Sequence, residues 1–443
     1  MKHKIITIVA FILFSQHIFA QNTKSLSLDN AIQLSLQNSK QLKLSQTKVK
    51  EATAILHQSQ NNMIPDLKAS GSYLRINNPN IDLKAKLGSS SGGSDTSSKS
   101  SSSFNVNEVM YGIISASVPV FSGFKIHYGI QSAKYLEQAA KLDADHDREM
   151  IIQNTIDAYT NLYKAGKAVD LVKSNLKQSQ QRVSDFSNLE KNGVLARNDL
   201  LKAQLQESNI ELSLLDAENN LKITNVNMDL MLGLQEGTEI IPDSLHPVTA
   251  DNKNITDWEL TAMQNRKDMQ ALAYREKAAH AYERSIKGEY YPSVALTGGY
   301  IALNIPDFLT VTNALNAGIG VNYNIGSLWK SGAKVNEAKA HVQEMQISEQ
   351  ILSDQVHIQV TQAYENYLLS QKKVDVYTKA LEQATENYRI TKNKYDNSLT
   401  TTTELLDADV AELQAKLNFA FANADVVVAY KKLLQTTGTL NNK

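Results

Sequence analysis

The chain repeats itself, and that constrains its fold more than any other feature. Gln37-Asn-Ser-Lys40 recurs as Gln264-Asn-Arg-Lys267. Ile64-Pro-Asp-Leu-Lys-Ala-Ser-Gly71-Ser-Tyr73 recurs as Tyr291-Pro-Ser-Val-Ala-Leu-Thr-Gly298-Gly-Tyr300 at the same separation, 227 residues. Further on the separation is 205: Lys125 matches Lys330, Tyr159 matches Tyr364, Leu200-Leu201 and Ala203 match Leu405-Leu406 and Ala408, and Gly233 matches Gly438. The 22-residue difference falls between Tyr73 and Lys125, where the first copy carries the Ser/Gly-rich run 89–103. A duplication of this kind asks for two like halves sharing one architecture. The halves are residues 21–247, with strands at about 65–121 and a tip turn at 187–200, and residues 248–443, with strands at about 292–326 and a tip turn at 393–404.

Each half reads as helix, two strands, long helix, turn, helix. Proline removes a helical hydrogen bond and clashes with the preceding turn, and all seven prolines fall outside the expected helices. Those helices run roughly 28–63, 124–186, 199–232, 255–290, 329–394 and 404–437. At 1.5 Å per residue each long helix reaches about 95 Å. An incoming and a returning helix stacked end to end would match one long helix, which suggests a cylinder rather than a globule. Val172, Leu176, Ser179, Val183 and Phe186 step by four and three, as do Tyr377, Leu381, Ala384, Tyr388, Thr391 and Tyr395. Leu406, Val410, Leu413, Leu417, Ala420, Ala424 and Val427 answer from the returning helix. This is the 3.5-residue period of antiparallel coiled-coil packing.

Strict alternation marks the strands. Leu315, Ala317, Ile319, Val321, Tyr323 and Ile325 alternate with asparagines and glycines, Val294, Leu296, Gly298 and Tyr300 with small polar residues. Leu67, Ala69, Gly71 and Tyr73 open the first pair and the run Gly112–Val120 closes it. Such strands can face lipid on one side and water on the other. Four strands cannot close a barrel, and an open edge in lipid leaves backbone groups unpaired, so several subunits must share one barrel. The alternative is a pair of soluble hairpins capping a helical stalk.

Lys2 and Lys4, the apolar run Ile5–Phe14 and Ile18-Phe-Ala20 have the order of a secretory signal peptide spanning 1–20. No later run is apolar enough for a transmembrane helix, so strands must make any crossing. A net charge of −1 gives no reason to expect nucleic acid. The chain has no cysteine, which removes disulfides, thiolate metal sites and a catalytic thiol. His127, His146, His280, His341 and His357 form no ligand set, no nucleophile or phosphate-loop motif is present, and no cofactor is expected. Those spacings argue against an enzyme.

The signal peptide, the duplicated pattern and the two turn motifs together resemble the TolC-like outer-membrane efflux protein family. The most specific pieces are Gly193-Val-Leu-Ala-Arg-Asn-Asp199-Leu200, Thr400–Ala408 and Val118-Pro119-Val-Phe-Ser-Gly123. The resemblance implies a mainly α fold with a transmembrane β-barrel part. It implies a homotrimer with four strands per protomer in a shared twelve-stranded barrel, set in outer-membrane lipid of a Gram-negative bacterium above a long periplasmic α-helical tunnel. Its partners would be a periplasmic adaptor (membrane fusion) protein and an inner-membrane transporter of RND or ABC type, expelling drugs, toxic compounds or secreted proteins. Glu404 and Asp407 fall at the acidic positions of the family's periplasmic gate. Tyr395 and Asp199 fall where neighbouring helices are linked in the closed state. Thr400 stands where the best-known member has an arginine, and the missing N-terminal cysteine separates the chain from the lipid-anchored members. Gly193, Val194, Leu195, Ser398 and Leu399 are the expected adaptor contacts, with turn anchors as the competing reading. The rival function is a periplasmic coiled-coil adaptor or stalk without a channel.

Spacing adds to the gate reading. A separation of three puts Glu404 and Asp407 on one helix face, near a positive helix N-terminus. Rings of such carboxylates around a symmetry axis favour cations in a pore. The first tip carries Asp199 and Lys202 at the corresponding places, so acidity is concentrated in the second tip.

Overall fold

The computed structural model describes residues 24–77, 106–245, 253–306 and 308–440. The expected signal peptide, the Ser/Gly-rich run and Pro79 and Pro247 lie outside them. The elements are β1 (Lys24–Leu26), α1 (Leu28–Asn38), α2 (Lys40–Asn61), β2 (Asp66–Arg75), β3 (Glu108–Phe121), α3 (Lys125–Lys191), α4 (Arg197–Leu232), β4 (Ile240–Pro242), α5 (Ile255–Asn265), α6 (Lys267–Lys287), β5 (Ser293–Ile305), β6 (Leu309–Asn322), α7 (Ser327–Asp396) and α8 (Thr402–Thr436). All five described prolines lie outside helices. Helix, strand, strand, helix, helix thus runs twice, with α3 at 67 residues and α7 at 70.

Contacts divide the chain into two compact units, and each takes segments from both halves of the sequence. One comprises residues 1–49, 139–272 and 348–443, the other 50–138 and 273–347. The second contains the sheet. Its order is β2-β3-β5-β6, every neighbour antiparallel, so the two expected strand pairs are one continuous sheet joined through β3 and β5. The register lines up one apolar face. Ala69, Ile114, Tyr300 and Leu315 form one cross-strand row, and Val118, Leu296 and Ile319 another. The opposite face is mixed, presenting Ser70, Ser115, Thr297, Gly318 and Asn316 together with Ile113 and Ile301. The apolar face is bare: Leu315 is 82% exposed, Leu67 72% and Ile319 70%. Both edge strands, β2 and β6, lack an outer partner among the described residues. Strand β6 ends at Asn322, so Tyr323 and Ile325 fall beyond the alternating run expected to include them.

Strand β3 turns into α3 through two successive left-handed residues, Gly123 (φ 64°) and Phe124 (φ 64°). Backbones meet closely there: a Cβ on Gly123 would lie 2.3 Å from the Gly288 carbonyl oxygen. The Val118–Gly123 motif is therefore a bend that glycine alone fits.

In the first unit one core gathers Ile152, Ile156, Trp258, Val356, Val360, Tyr367, Tyr430 and Leu433. A second surrounds Tyr159, whose hydroxyl donates to the Leu26 carbonyl at 2.8 Å beside the parallel pair β1–β4. The incoming helices differ from expectation: neither 28–63 nor 255–290 is one helix. Each breaks at a single extended residue, Ser39 (ψ 118°) and Arg266 (ψ 125°). The reason lies in the returning helices, whose last carbonyls need donors. Asn38 Nδ2 donates to the Leu232 carbonyl at 2.6 Å, and Arg266 Nη1 to the Thr436 carbonyl at 3.2 Å. The C-terminal ends of the returning helices therefore lie against these breaks. The coiled-coil seam is buried or half-buried at Val172, Ser179, Phe186 and Tyr388 as expected, but Val410 is exposed and its neighbour Asp409 is buried.

Candidate functional site at the two helical tips

Both tips are built alike. At the end of α3 the Gly193 amide donates to the Glu190 carbonyl and the Val194 amide to the Leu189 carbonyl, each at 2.9 Å. At the end of α7 the Ser398 amide donates to the Tyr395 carbonyl (2.9 Å) and the Leu399 amide to the Lys394 carbonyl (2.8 Å). This paired pattern is the Schellman motif, and it needs one left-handed residue. Gly193 supplies it at φ 73° and Ser398 at φ 58°; the serine adopts it at a cost of roughly 1 kcal/mol. Val194 and Leu399, next in line, are 73% and 75% exposed. Leu195 instead packs with Val183, Tyr388 and Tyr395 against a small core of Phe186, Leu200, Ala203 and Leu405. Of the expected contacts, then, Val194 and Leu399 project to solvent while Leu195 anchors its turn.

The outgoing helices start differently. Thr401 caps α8 by accepting the Glu404 amide at 3.3 Å on its Oγ1, whereas Ala196 before α4 has no side chain able to cap. Thr400 donates its hydroxyl proton to the Glu404 carboxylate. Glu404 and Asp407 are both exposed and share the outward face of α8. At the first tip Asp199 is neutralised by Lys202 at 3.2 Å, and the same ammonium reaches Thr403 Oγ1 at 3.2 Å. Lys202 thus bridges the two tips. The Tyr395 ring stacks on Phe186 at 5.5 Å, and its hydroxyl accepts from Thr402 Oγ1 at 3.5 Å. Asp199 and Tyr395 line one cavity of about 630 Å³ with Ser398, Thr400 and Thr403. Among the described residues the two have no direct hydrogen bond; the cross-tip tie runs through Lys202 and Thr403.

The model of the outer membrane efflux protein family matches residues 31–234 and 260–439. The chain belongs to this family. Like its homologues, this outer membrane efflux protein resides in the outer membrane of a Gram-negative bacterium. The efflux protein BepC of Brucella suis biovar 1 is 20% identical over 329 residues, covering 72% of this chain and 70% of the relative. The fold is that of solved outer-membrane channels. CmeC of Campylobacter jejuni superposes with a TM-score of 0.79 at 16% identity, covering 93% of this chain and 86% of that one. For the channel OprN the TM-score is 0.77 at 18% identity, over 93% and 90%. The family is one of channels rather than enzymes.

Sequence reasoning overlooked one feature of this efflux protein. Asp409 on α8, 1% exposed, accepts from Arg182 on α3, 8% exposed, at 2.9 Å. Asn175 and Gln178 donate to its other oxygen at 3.3 Å, and Tyr388 on α7 accepts from Arg182 at 3.4 Å. Burial opposes the Arg182 charge, but the hydrogen bond and charge of Asp409 outweigh it and hold the guanidinium above its ordinary pKa. Helix geometry carried the missing signal: at 100° per residue Asp409 points almost opposite to Asp407, hence inward when Glu404 and Asp407 face out.

Proposed function

We propose that three copies of this chain share a twelve-stranded barrel in the outer membrane and a periplasmic helical tunnel. The trimer is the exit duct of a tripartite efflux pump, receiving small molecules or secreted proteins from an adaptor and an inner-membrane transporter of RND or ABC type. Residues 1–20 act as its signal peptide, and the two sequence halves are repeats of one unit. The observation that carries this reading is the four-stranded sheet: one face presents the exposed Leu67, Ile114, Leu296, Leu315 and Ile319, the other is mixed with Ser70, Ser115, Thr297 and Asn316, and both edges are unpaired among the described residues. Open edges are not tolerated in lipid, and the alternation suits lipid outside and water inside. A soluble stalk would gain nothing from such a face.

At the tips, Glu404 and Asp407 form stacked acidic rings at the periplasmic entrance, and the Lys202 bridge ties Asp199 to the second hairpin. Tyr395 holds that hairpin against Phe186, and Val194 and Leu399 meet the adaptor. In bilayer recordings the Glu404→Ala/Asp407→Ala variant raises the leak conductance and abolishes block by divalent cations. Unchanged conductance and unchanged block would remove the gate assignment, and a wild-type protein that is soluble without detergent would remove the channel.

A further inference from the structure

Beside the second helix break, a cavity of about 470 Å³ gathers hydrogen-bond donors that its walls leave unused. Arg266, at the break, donates through Nε and Nη2 to the Asp268 carboxylate at 3.0 and 2.6 Å, and through Nη1 to Gln359 Oε1 at 2.8 Å. Lys432 on α8 donates to Gln435 Oε1 at 2.8 Å and has no carboxylate partner within ion-pair distance among the described residues. Each cation thus holds the oxygen of a glutamine, which leaves the amide nitrogen as the end still to be satisfied. Gln435 is 6% exposed, and its Nε2 meets the Met150 thioether at 3.3 Å, a weak acceptor. Gln359 Nε2 has no acceptor among the described residues. On the same face of α7, Gln355, Gln362 and Asn366 border the space at four- and three-residue steps, their side-chain amides unengaged among the described residues.

The first half of the duplication shows that these cations are not needed to build the break. In the register of the repeat, Ser39 stands for Arg266, Gln41 for Asp268, Asn227 for Lys432 and Leu230 for Gln435. That half makes the same break and satisfies its returning helix with the neutral Asn38 amide. The charged groups of the second half are therefore surplus to the fold. With His146 neutral, the lining charges sum to one positive, since Arg266 and Lys432 share the space with the single carboxylate of Asp268. Partial desolvation lowers the pKa of Lys432 from its ordinary value; Asp157 opposes this and the nearby Arg266 adds to it. Asp157 lies outside the lining, its carboxylate engaged by Gln153 at 2.9 Å.

We propose that this cavity binds a small organic carboxylate. Lys432 supplies the charge and the lining amide nitrogens supply further donors, and hydrogen bonds of an ammonium to a carboxylate are of the strong kind. The organic body lies along Met150, Leu352 and Ala363, which form the apolar part of the wall. A bare oxyanion would leave that wall wet, and a neutral ligand would leave Lys432 without a counter-charge. The site belongs to one chain and goes beyond the channel reading: it stands whether or not three copies share a barrel.

Benzoate is the probe and benzamide its uncharged counterpart, in ligand-observed NMR titrations of the full chain in a non-ionic detergent. Saturable benzoate binding is expected, with benzamide weaker by about tenfold or more, the worth of one charge-assisted hydrogen bond. Lys432→Gln should weaken benzoate by a similar factor, while Lys432→Arg, which keeps the charge, should largely preserve binding. Gln362→Glu, at an exposed position of the lining, adds a carboxylate and should weaken benzoate as well, with the melting temperature of the wild type retained. The proposal is overturned by the absence of saturable benzoate binding, by benzamide binding equally well, or by benzoate binding unchanged in both Lys432→Gln and Gln362→Glu. Displacement of benzoate by an equal concentration of inorganic phosphate would overturn the organic-acid assignment.

Discussion

Removing the Asp409 carboxylate tests whether the two hairpins of a protomer are tied by a buried ion pair. In Asp409→Ala the Arg182 guanidinium, 8% exposed, keeps its charge and loses its carboxylate acceptor, and Asn175 loses its partner, while the Tyr388 hydroxyl remains as an acceptor for Arg182 and Gln178. Breaking one side of a buried pair costs roughly 3–5 kcal/mol. A cavity of about 520 Å³ borders Arg182, Gln178 and Tyr388 and admits water to the orphaned charge, which argues for the lower figure, about 3 kcal/mol. An exposed bridge such as Arg389–Glu386, with side chains 62% and 55% exposed, is screened by solvent and adds little. The matched readout is amide hydrogen exchange along 402–415. An opening made easier by about 3 kcal/mol speeds exchange on the order of 100-fold, whereas Glu386→Ala changes it less than about fivefold. The decisive comparison is Arg182→Met/Asp409→Leu, which removes both charges and fills the space. Replacing such pairs by apolar residues is often neutral, so this variant should exchange close to the wild-type rate. If it exchanges as fast as Asp409→Ala, lost packing rather than an uncompensated charge explains the effect, and the ion-pair account is refuted.

Two further predictions follow from particular groups. Glu149 is buried, and burial pushes its carboxyl from the ordinary 4.5 up to about 7. Between those values the unfolded chain releases the proton and the folded chain keeps it, so stability falls as pH rises through that window, by at most about 3 kcal/mol. Denaturation across pH 4–8 should therefore show a slope that Glu149→Gln removes; an unchanged slope would clear Glu149. Gly123→Ala should lower the thermal stability of the assembled protein far more than Gly193→Ala. Both pay left-handed strain of roughly 1–3 kcal/mol, but only Gly123 would place a Cβ 2.3 Å from a backbone oxygen, while nothing lies within 4 Å of the other. Equal melting shifts would contradict the crowded bend.

What the sequence made legible follows the range of the interactions involved. The order of elements, the strands' apolar face and the exposed Glu404–Asp407 face are set by local periodicity, and local periodicity is what a sequence displays. The breaks at Ser39 and Arg266 were not read as breaks, although the repeated Gln37–Lys40 and Gln264–Lys267 motifs span them. They exist to deliver Asn38 and Arg266 to carbonyls of helices some 170–194 residues away in the chain. The same holds at the tips. The family resemblance paired Tyr395 with Asp199, while the folded tips also carry a tie through Lys202, a residue whose reach to Thr403 depends on how two distant turns meet. The duplication adds a further reason. Gly193 and Ser398 make the same turn, so the copies share backbone geometry, yet Lys202 stands in one and Asp407 in the other. Divergence after duplication therefore acted on charge rather than on shape. The first tip acquired an internally neutralised acid that grips its neighbour, and the second kept Asp407 exposed and free of any ion pair among the described residues. Two hairpins of one shape but unequal charge are what a ring needs if only one of them is to line its axis.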